Sequence, residues 1–219
     1  MILGLDTATR STVVGLLRPD GSVVERRDDP GVGGASSRPQ HASRVLELID
    51  AVLDDWGAVE RIAVGVGPGG FTGLRIGIAT ARALAQARGL PLVGVSSLRA
   101  LAAGVDGEAP VAAVIDARRG EAFVGIYAGA QVLLEPQALG PDALAAAVAH
   151  AGAGVRAVGD GALRFRTQLE QAGAAVPADA EAVHGVRAGP LCRLGAAGSP
   201  TERDALLPDY RREPDARPQ

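Results

Sequence analysis

The sequence contains no lysine and only one cysteine among its 219 residues, and aromatic residues make up 3% of it. A single cysteine excludes both an internal disulfide and a zinc site built from cysteine ligands. The shortage of aromatic residues means that Ala, Val, Leu and Ile must form the hydrophobic core. Cys192 lies in the stretch 190–194, and we interpret it as a small buried apolar residue rather than a nucleophile.

Excess positive charge and long apolar runs are also missing. The formal net charge is −3, whereas tight binding of RNA through its phosphates would need a concentrated basic face. The N-terminal apolar run is broken at Asp6 and has no basic residues before it, which predicts a first strand and not a signal peptide. Because every apolar run falls well short of a membrane span, we expect a cytoplasmic protein without a membrane partner.

A glycine-rich loop occupies residues 65–75, with the sequence Gly-Val-Gly-Pro-Gly-Gly-Phe-Thr-Gly-Leu-Arg. It follows an apolar run and precedes a segment without a helix breaker until Gly89. This order of strand, glycine-rich turn and helix start is the arrangement in which backbone N–H groups converge on an anion. A Walker-type loop ends in Gly-Lys-Ser/Thr, but here the loop ends in Gly73, Leu74 and Arg75. The loop is therefore not of the Walker type.

Residues 67–77 resemble the signature GPGSFTGLRIG of the bacterial threonylcarbamoyladenosine biosynthesis family TsaB/YeaZ, with Gly70 where serine is usual. Five further stretches resemble the same family in order and spacing: 2–9, 91–98, 114–121, 159–162 and 207–211. The resemblance therefore runs from residue 2 to about residue 211.

The resemblance implies an α/β, two-lobed actin-like ATPase (ASKHA, ribonuclease H-like) fold. We expect an N-terminal lobe over residues 1–105 that carries the partner interface, a smaller C-terminal lobe over 106–212, and a disordered tail over 213–219. The residues themselves support a duplication. Each half begins with an apolar strand that ends in an aspartate, Asp6 or Asp116, and continues with a polar turn and a returning strand.

Hydrophobic periodicity predicts the elements of both lobes. Strands are expected at 2–5, 12–17, 23–27, 61–66, 92–95, 110–116, 123–127 and 155–158. Helices are expected at 41–56, 73–88, 141–150, 162–172 and 187–196, with a further one starting near Ser96 and Ser97. The segment 28–40 has no periodic pattern and is rich in Gly, Ser and Pro, which predicts a loop.

The two polar turns differ from those of active members of the superfamily, where a glycine lets the backbone approach the ATP phosphates. Here the first turn begins with Asp6 and has Ala8 in the expected glycine position, and the second carries two arginines after Asp116. Both aspartates could hold a metal through water, but we favour the interpretation that they cap turns. We expect a nucleotide or effector pocket formed by the turns and the glycine loop: Asp6, Thr7, Gly67, Pro68, Gly69, Gly70, Thr72 and Asp116.

The catalytic paralogue of the resembled family binds a metal through His-x-x-x-His on its first helix, where two imidazoles share one face. In this chain Val45 follows His41 by four residues and Ser37 precedes it by four, so no pair can form locally. We therefore expect no metal site, and we interpret His41 as a solvent-facing residue of a first helical turn.

Peptidase chemistry has no support in the sequence. A metallopeptidase motif such as His-Glu-x-x-His is absent. A serine mechanism at Ser96 or Ser97 would need a positioned histidine and acid, and the sequence indicates neither. We expect one of these serines to cap the helix that follows.

Two predicted helices carry unusual small or apolar residues. Gly73 and Gly77 lie four residues apart in a helix, where each glycine costs about 0.5–1 kcal/mol relative to alanine. Close packing against another helix or against the chain's own sheet would explain them, and the sequence leaves both open. The apolar residues of the helix expected at 41–56 cover more than one of its faces. This favours a protein–protein interface, and the resemblance implies the same. The predicted interface residues are Val45, Ile49, Val52, Leu53, Gly73, Ile76, Gly77 and Thr80.

The resemblance implies a non-catalytic scaffold or activator subunit of the tRNA threonylcarbamoyladenosine synthesis complex. Such a subunit dimerises with a catalytic TsaD-type paralogue, works with a TsaE-type ATPase subunit, forms a homodimer in the absence of the paralogue, and meets tRNA only within the complex. It needs no cofactor, apart from a nucleotide at the partner interface.

Two alternatives stay open. A stand-alone ATPase or small-molecule kinase of the actin-like superfamily would bind ATP as an isolated chain and lose turnover in Asp6→Ala. A self-associating homodimer that stores or regulates the catalytic subunit would resist displacement by it.

Overall fold

A computed structural model describes residues 1–30 and 39–211 of the chain. The expected disordered tail at 213–219 and residues 31–38 of the expected loop lie outside the described residues. Within the described ranges, no helix combines the length and the apolar character needed to cross a membrane.

The first lobe is built on a five-stranded sheet in the order β3-β2-β1-β4-β5. Its strands are β1 (Ile2–Asp6), β2 (Thr12–Leu17), β3 (Val23–Asp28), β4 (Arg61–Gly67) and β5 (Leu92–Ser96). Strands β1 and β2 pair in antiparallel fashion, whereas β1, β4 and β5 run parallel. The carboxyl ends of the three parallel strands therefore meet at one edge, where Asp6 and the glycine loop also lie.

Helices α1 (His41–Asp50) and α2 (Phe71–Arg88) cover one face of this sheet, and α3 (Ser97–Ala102) leaves its far edge. Helix α2 ends at Gly89, whose φ of +64° lies in the left-handed region that glycine adopts at helix ends. The core under α1 and α2 consists of leucine, isoleucine, valine and alanine.

The second lobe contains a four-stranded sheet in the order β8-β7-β6-β9. Its elements are β6 (Val111–Arg118), β7 (Glu121–Ala128), β8 (Gln131–Leu139), α4 (Pro141–His150), β9 (Arg156–Val158), α5 (Asp160–Arg164) and α6 (Arg166–Gln171). Strand β6 pairs antiparallel with β7 and parallel with β9. This repeats the arrangement of β1, β2 and β4, so the expected duplication and the two-lobed α/β fold are confirmed.

The last helix, α7 (Ala188–Ala197), returns to the first lobe and packs on β1, β2 and β4. One hydrophobic cluster joins the lobes, because Val95 of β5, Phe123 of β7 and Leu191 of α7 belong to it together. Residues 201–209 continue along the first lobe, where the Thr201 and Asp209 N–H groups donate to the Leu92 and Val66 carbonyls. The domain boundary at 105/106 stays a prediction.

Two predicted helices were wrong, and one strand was missed. Helix α1 ends at Asp50 rather than at residue 56, and an irregular segment with a short 3₁₀ turn at Trp56–Ala58 follows it. The helix expected at 162–172 is two short helices that meet at Phe165. Strand β8 was not predicted, because it is an edge strand that contains Pro136 and has few buried residues to give a periodic signal.

Candidate functional site

A cavity of about 880 Å³ lies between the two lobes. The first lobe contributes the β1–β2 turn, the start of α1 and the glycine loop, and the second lobe contributes the β6–β7 hairpin. Of the expected pocket residues, Gly69, Gly70, Thr72 and Asp116 line this cavity. The other four do not, since Asp6, Thr7, Gly67 and Pro68 are all buried outside its lining.

Asp6 is fully buried, and protein groups occupy both of its carboxylate oxygens. Ser97 Oγ donates to Oδ2 at 2.6 Å, and the Ala8 N–H donates to Oδ1 at 2.9 Å. Burial raises the pKa of this carboxyl, and the two hydrogen bonds lower it in part. A Cβ atom on Gly65 would overlap Asp6 Oδ2, so glycine is required behind the carboxylate. The bond to Ala8 confirms that Asp6 caps the first turn.

Asp116 is also engaged by protein groups. Arg164 Nη1 donates to both of its oxygens, at 2.8 and 2.9 Å, and the Arg118 N–H donates to Oδ1 at 2.9 Å. Its own N–H donates to Asp160 Oδ1 at 3.0 Å. Burial, together with the nearby charge of Asp116, raises the pKa of Asp160. Among residues 1–30 and 39–211, no group of three His, Cys, Asp or Glu side chains could hold a metal ion.

The glycines of α2 pack against the β1–β2 turn of the same chain. Thr7 Oγ1 donates a hydrogen bond of 2.7 Å to the Gly73 carbonyl. A Cβ atom on Gly73 would overlap the Thr7 carbonyl oxygen, and one on Gly77 would overlap Thr7 Oγ1. Of the two explanations that the sequence left open, internal packing therefore accounts for both glycines.

The prediction that His41 faces solvent was wrong. Its side chain is buried, with Nδ1 at 2.8 Å from Thr12 Oγ1. Burial lowers the pKa of the imidazole. The first turn of α1 packs on β2, and a Cβ atom on Gly73 would lie 3.2 Å from His41 Nε2. The missing side chain at Gly73 thus leaves space for the imidazole.

Four of the expected interface residues belong to this chain's own core, which corrects the inference that they form surplus surface. Val45, Ile49, Val52 and Leu53 have at most 8% exposure. They are buried because α1 and the segment after it lie flat on the first sheet. Of the other expected members, Gly73 and Gly77 are buried, whereas Ile76 and Thr80 are half-buried. Leu46 and Phe71 are the exposed large apolar residues of α1 and α2.

One feature of the cavity mouth was not predicted. The rings of Phe71 and Tyr210 stack with centroids 5.0 Å apart, and the Arg75 guanidinium lies 3.8 Å from the Phe71 centroid. Arg75 Nε also donates to Tyr210 Oη at 3.0 Å. Both aromatic side chains line the cavity. The stretch 207–211 stood out in the sequence, but nothing in it indicated that Tyr210 would meet the start of α2.

Two smaller predictions are confirmed. Ser96 caps α3, with its hydroxyl accepting the Arg99 N–H at 3.4 Å, while Ser97 bonds to Asp6 instead. Cys192 is fully buried, and burial raises the pKa of its thiol to about 12, which fits an inert apolar residue.

Serine is expected to fit at Gly70 and not at Gly69. A Cβ atom on Gly70 would meet only the Ala8 carbonyl oxygen at 3.6 Å, whereas one on Gly69 would overlap that oxygen and lie 2.7 Å from Ala8 Cβ. We expect Gly70→Ser to change the free energy of unfolding by less than about 0.5 kcal/mol. Gly69→Ser should lower it by about 1–3 kcal/mol. Urea unfolding of both variants tests this, and equal effects would contradict it.

Comparison with known proteins finds similarity to proteins that are named for tRNA modification. A family model described as "TsaD: tRNA N6-adenosine threonylcarbamoyltransferase" matches residues 26–150, more than half of the chain. The chain is 37% identical over 133 residues to the tRNA threonylcarbamoyladenosine biosynthesis protein TsaB of Escherichia coli (strain K12), a match that covers 58% of this chain and 54% of the relative. The protein of the same name from Bacillus subtilis (strain 168) is 32% identical over 139 residues, covering 61% and 58%. These matches span little more than half the length of the curated relatives.

A solved structure from Pseudomonas aeruginosa extends the similarity to nearly the whole chain. It is described as an uncharacterized protein with similarity to peptidase YEAZ, and it aligns with a TM-score of 0.78 and 31% identity. The alignment covers 96% of this chain and 99% of the other. Together with the duplicated sheets, it establishes the two-lobed α/β fold of the actin-like ATPases.

Proposed function

Because the chain belongs to the TsaB/YeaZ family, we propose that it takes part in tRNA threonylcarbamoyladenosine synthesis as a non-catalytic subunit. The observation that carries this proposal is that protein groups already bind the carboxylates of the two turn aspartates. Asp6 is buried beneath the cavity and accepts hydrogen bonds from Ser97 and Ala8, and Asp116 is paired with Arg164. Neither carboxylate is free to hold a phosphate-bound metal, as phosphoryl transfer would require.

The same observation disfavours a stand-alone ATPase or kinase. In that alternative, loss of the Asp6 carboxylate would abolish turnover because the carboxylate would act on the reacting phosphate. Its oxygens instead accept hydrogen bonds inside the first lobe. We therefore propose that the isolated chain turns over no ATP and has no peptidase activity. Its contribution is to order a catalytic partner.

We propose that the partner, a TsaD-type paralogue, docks on the outer side of α1 and α2. Leu46 is 55% exposed, and Ile76 and Thr80 lie half-buried on the same pair of helices. The buried members of the expected interface would support these helices from below. A homodimer through the same surface in the absence of the paralogue, a TsaE-type ATPase as third subunit, and a cytoplasmic location complete the proposal.

The cavity beside this surface is proposed as the nucleotide or effector pocket. Gly69 and Gly70 line the cavity before the start of α2, where the Gly70 N–H donates to the Ala8 carbonyl at 2.7 Å. The first N–H groups of α2 itself have no intrahelical partner and are the ones that could meet an anion. Thr72 adds a hydroxyl, and Asp116 faces them from the second lobe.

The test is reconstitution of tRNA modification from the TsaD-type and TsaE-type subunits, with this chain added or omitted. We expect modification to depend on the chain, while the chain alone neither modifies tRNA nor hydrolyses ATP. Leu46→Asp should weaken assembly with the TsaD-type subunit about tenfold or more, since a charge would replace a central apolar contact. Leu133→Asp, at an equally apolar exposed position on β8 (39% exposed), is the matched control. A modification rate that is unchanged without the chain would refute the proposal.

A further inference from the structure

The Phe71–Tyr210 stack is an exception to how this chain uses aromatic residues. All six aromatic side chains of the sequence lie within the described ranges, and Phe123, Tyr127 and Phe165 are buried. Phe71 and Tyr210 are far apart in the sequence but stack on each other, and they stay 37% and 41% exposed. In a chain with so few aromatic residues, two stacked and accessible rings at a cavity mouth indicate a binding surface.

Arginines lie around the stack, although the chain carries a formal charge of −3. Three arginines and three aspartates line the cavity: Arg10, Arg118, Arg211, Asp116, Asp160 and Asp209. Arg118 pairs with Asp116, and Arg211 pairs with Asp209. Arg75 lies over the Phe71 ring and donates to Tyr210 Oη, so it places a guanidinium beside the stack, where an anionic group can approach it.

We propose that this mouth binds an unpaired nucleotide of RNA, with the base stacked on the face of Tyr210 that Phe71 does not cover and the backbone phosphate beside Arg75. Proteins bind single-stranded RNA by stacking its bases on aromatic rings and on arginine guanidinium groups. Ile76, Ile115 and Phe123 give the cavity an apolar floor behind the stack, which suits a planar base. The inference rests on the proposed function, because the tRNA substrate would supply the nucleotide.

The geometry also indicates how the two rings are held in position. Arg75 lies over the Phe71 ring and donates to Tyr210 Oη. The Asp209 N–H donates to the Val66 carbonyl at 2.8 Å, which ties the C-terminal segment to the end of β4. Tyr210 is therefore fixed against the start of α2 before any ligand arrives, and little conformational entropy is lost on binding.

The test is fluorescence anisotropy of a labelled single-stranded RNA oligonucleotide with the full-length isolated chain at about 50 mM salt. We expect weak, salt-dependent binding that exceeds binding of the same sequence as a duplex. Tyr210→Ala should weaken binding about tenfold, and Tyr210→Phe, which keeps the ring, should restore most of it. Arg75→Ala should weaken binding, whereas its control Arg88→Ala should not, because Arg88 makes a similar contact with Trp56 at the far end of α2.

Three results would overturn the inference. The first is no binding of the oligonucleotide up to the solubility limit of the protein, and the second is binding that Tyr210→Ala leaves unchanged. The third is equally strong binding of the same sequence as a duplex, which would mean that no unpaired base stacks on the ring.

The reconstituted complex separates this inference from the proposed function. If Tyr210→Ala lowers assembly with the TsaD-type subunit and leaves RNA binding intact, the stack is a protein contact and the inference fails, while the proposed function stands. RNA binding that depends on Tyr210, combined with tRNA modification that does not need this chain, would keep the inference and refute the proposed function.

Discussion

Asp6→Ala is expected to lower the free energy of unfolding by about 3 kcal/mol. The substitution leaves the buried Ser97 hydroxyl and the Ala8 N–H without their acceptor, and each such loss costs about 1–3 kcal/mol. The small cavity left by the carboxylate adds to the loss. Urea unfolding measures the effect.

Asp20 provides the matched control. Its carboxylate also accepts one backbone N–H and one serine hydroxyl, both from Ser22, at 2.9 and 2.7 Å. These groups are exposed, so water replaces the lost acceptor in Asp20→Ala and the change in stability should be small. Equal effects of the two substitutions would mean that burial does not set the importance of Asp6.

The pH dependence of stability provides a second readout for Asp6. Since burial raises its folded-state pKa, the folded protein keeps this proton at pH values where the unfolded chain has released it. Its contribution to stability is therefore fully present below the unfolded pKa of about 4, and it is lost as the pH rises through the folded pKa. The free energy of unfolding of the wild type, minus that of Asp6→Asn, should therefore fall as the pH rises from the unfolded pKa of Asp6 to its folded pKa. A difference that rises with pH would show a lowered pKa instead.

Gly73→Ala is the second substitution with a large expected effect, a net loss of about 1–2 kcal/mol in the free energy of unfolding. Alanine favours a helix by about 1 kcal/mol over glycine, so propensity alone predicts stabilisation. The added Cβ would overlap the Thr7 carbonyl oxygen, which is backbone and cannot rotate away. Overpacking of this kind costs more than the propensity gain.

Gly189→Ala is its control, because Gly189 is also helical. A Cβ atom there would meet only the flexible end of Arg193 at 3.1 Å and Val23 Cγ2 at 3.6 Å. We expect its effect to stay within about 1 kcal/mol. Thermal unfolding of the two variants tests the pair, and a stabilising Gly73→Ala would refute the close packing of α2 on the β1–β2 turn.

Much of the fold could be predicted from local pattern. The apolar strands, the glycine loop before α2 and the duplicated strand–aspartate–turn order all depend on residues close together in sequence. Strand β8 and the end of α1 could not be predicted, because an edge strand with Pro136 has little periodicity. Val52 and Leu53 are buried by tertiary packing and not by helical phase.

The site was predictable in its loop and at Asp116. Gly69, Gly70 and Thr72 face the cavity because the strand–loop–helix order places them there. Asp6 turns away from the cavity because Ser97, 91 residues later, donates to it. The pairing of Asp116 with Arg164 spans 48 residues. No local pattern carries such information.

Local patterns in the sequence were enough to predict most strands and helices, the family resemblance and the glycine loop before α2, since periodicity, turn residues and motif spacing are local properties. The orientation of the side chains depended on tertiary packing. This packing buried the apolar residues of α1, enclosed His41, paired both turn aspartates with protein groups, and brought Tyr210 onto Phe71. The physical reason is that burial and partner choice depend on which distant segments share a surface, and this is set when the sheets and helices pack together.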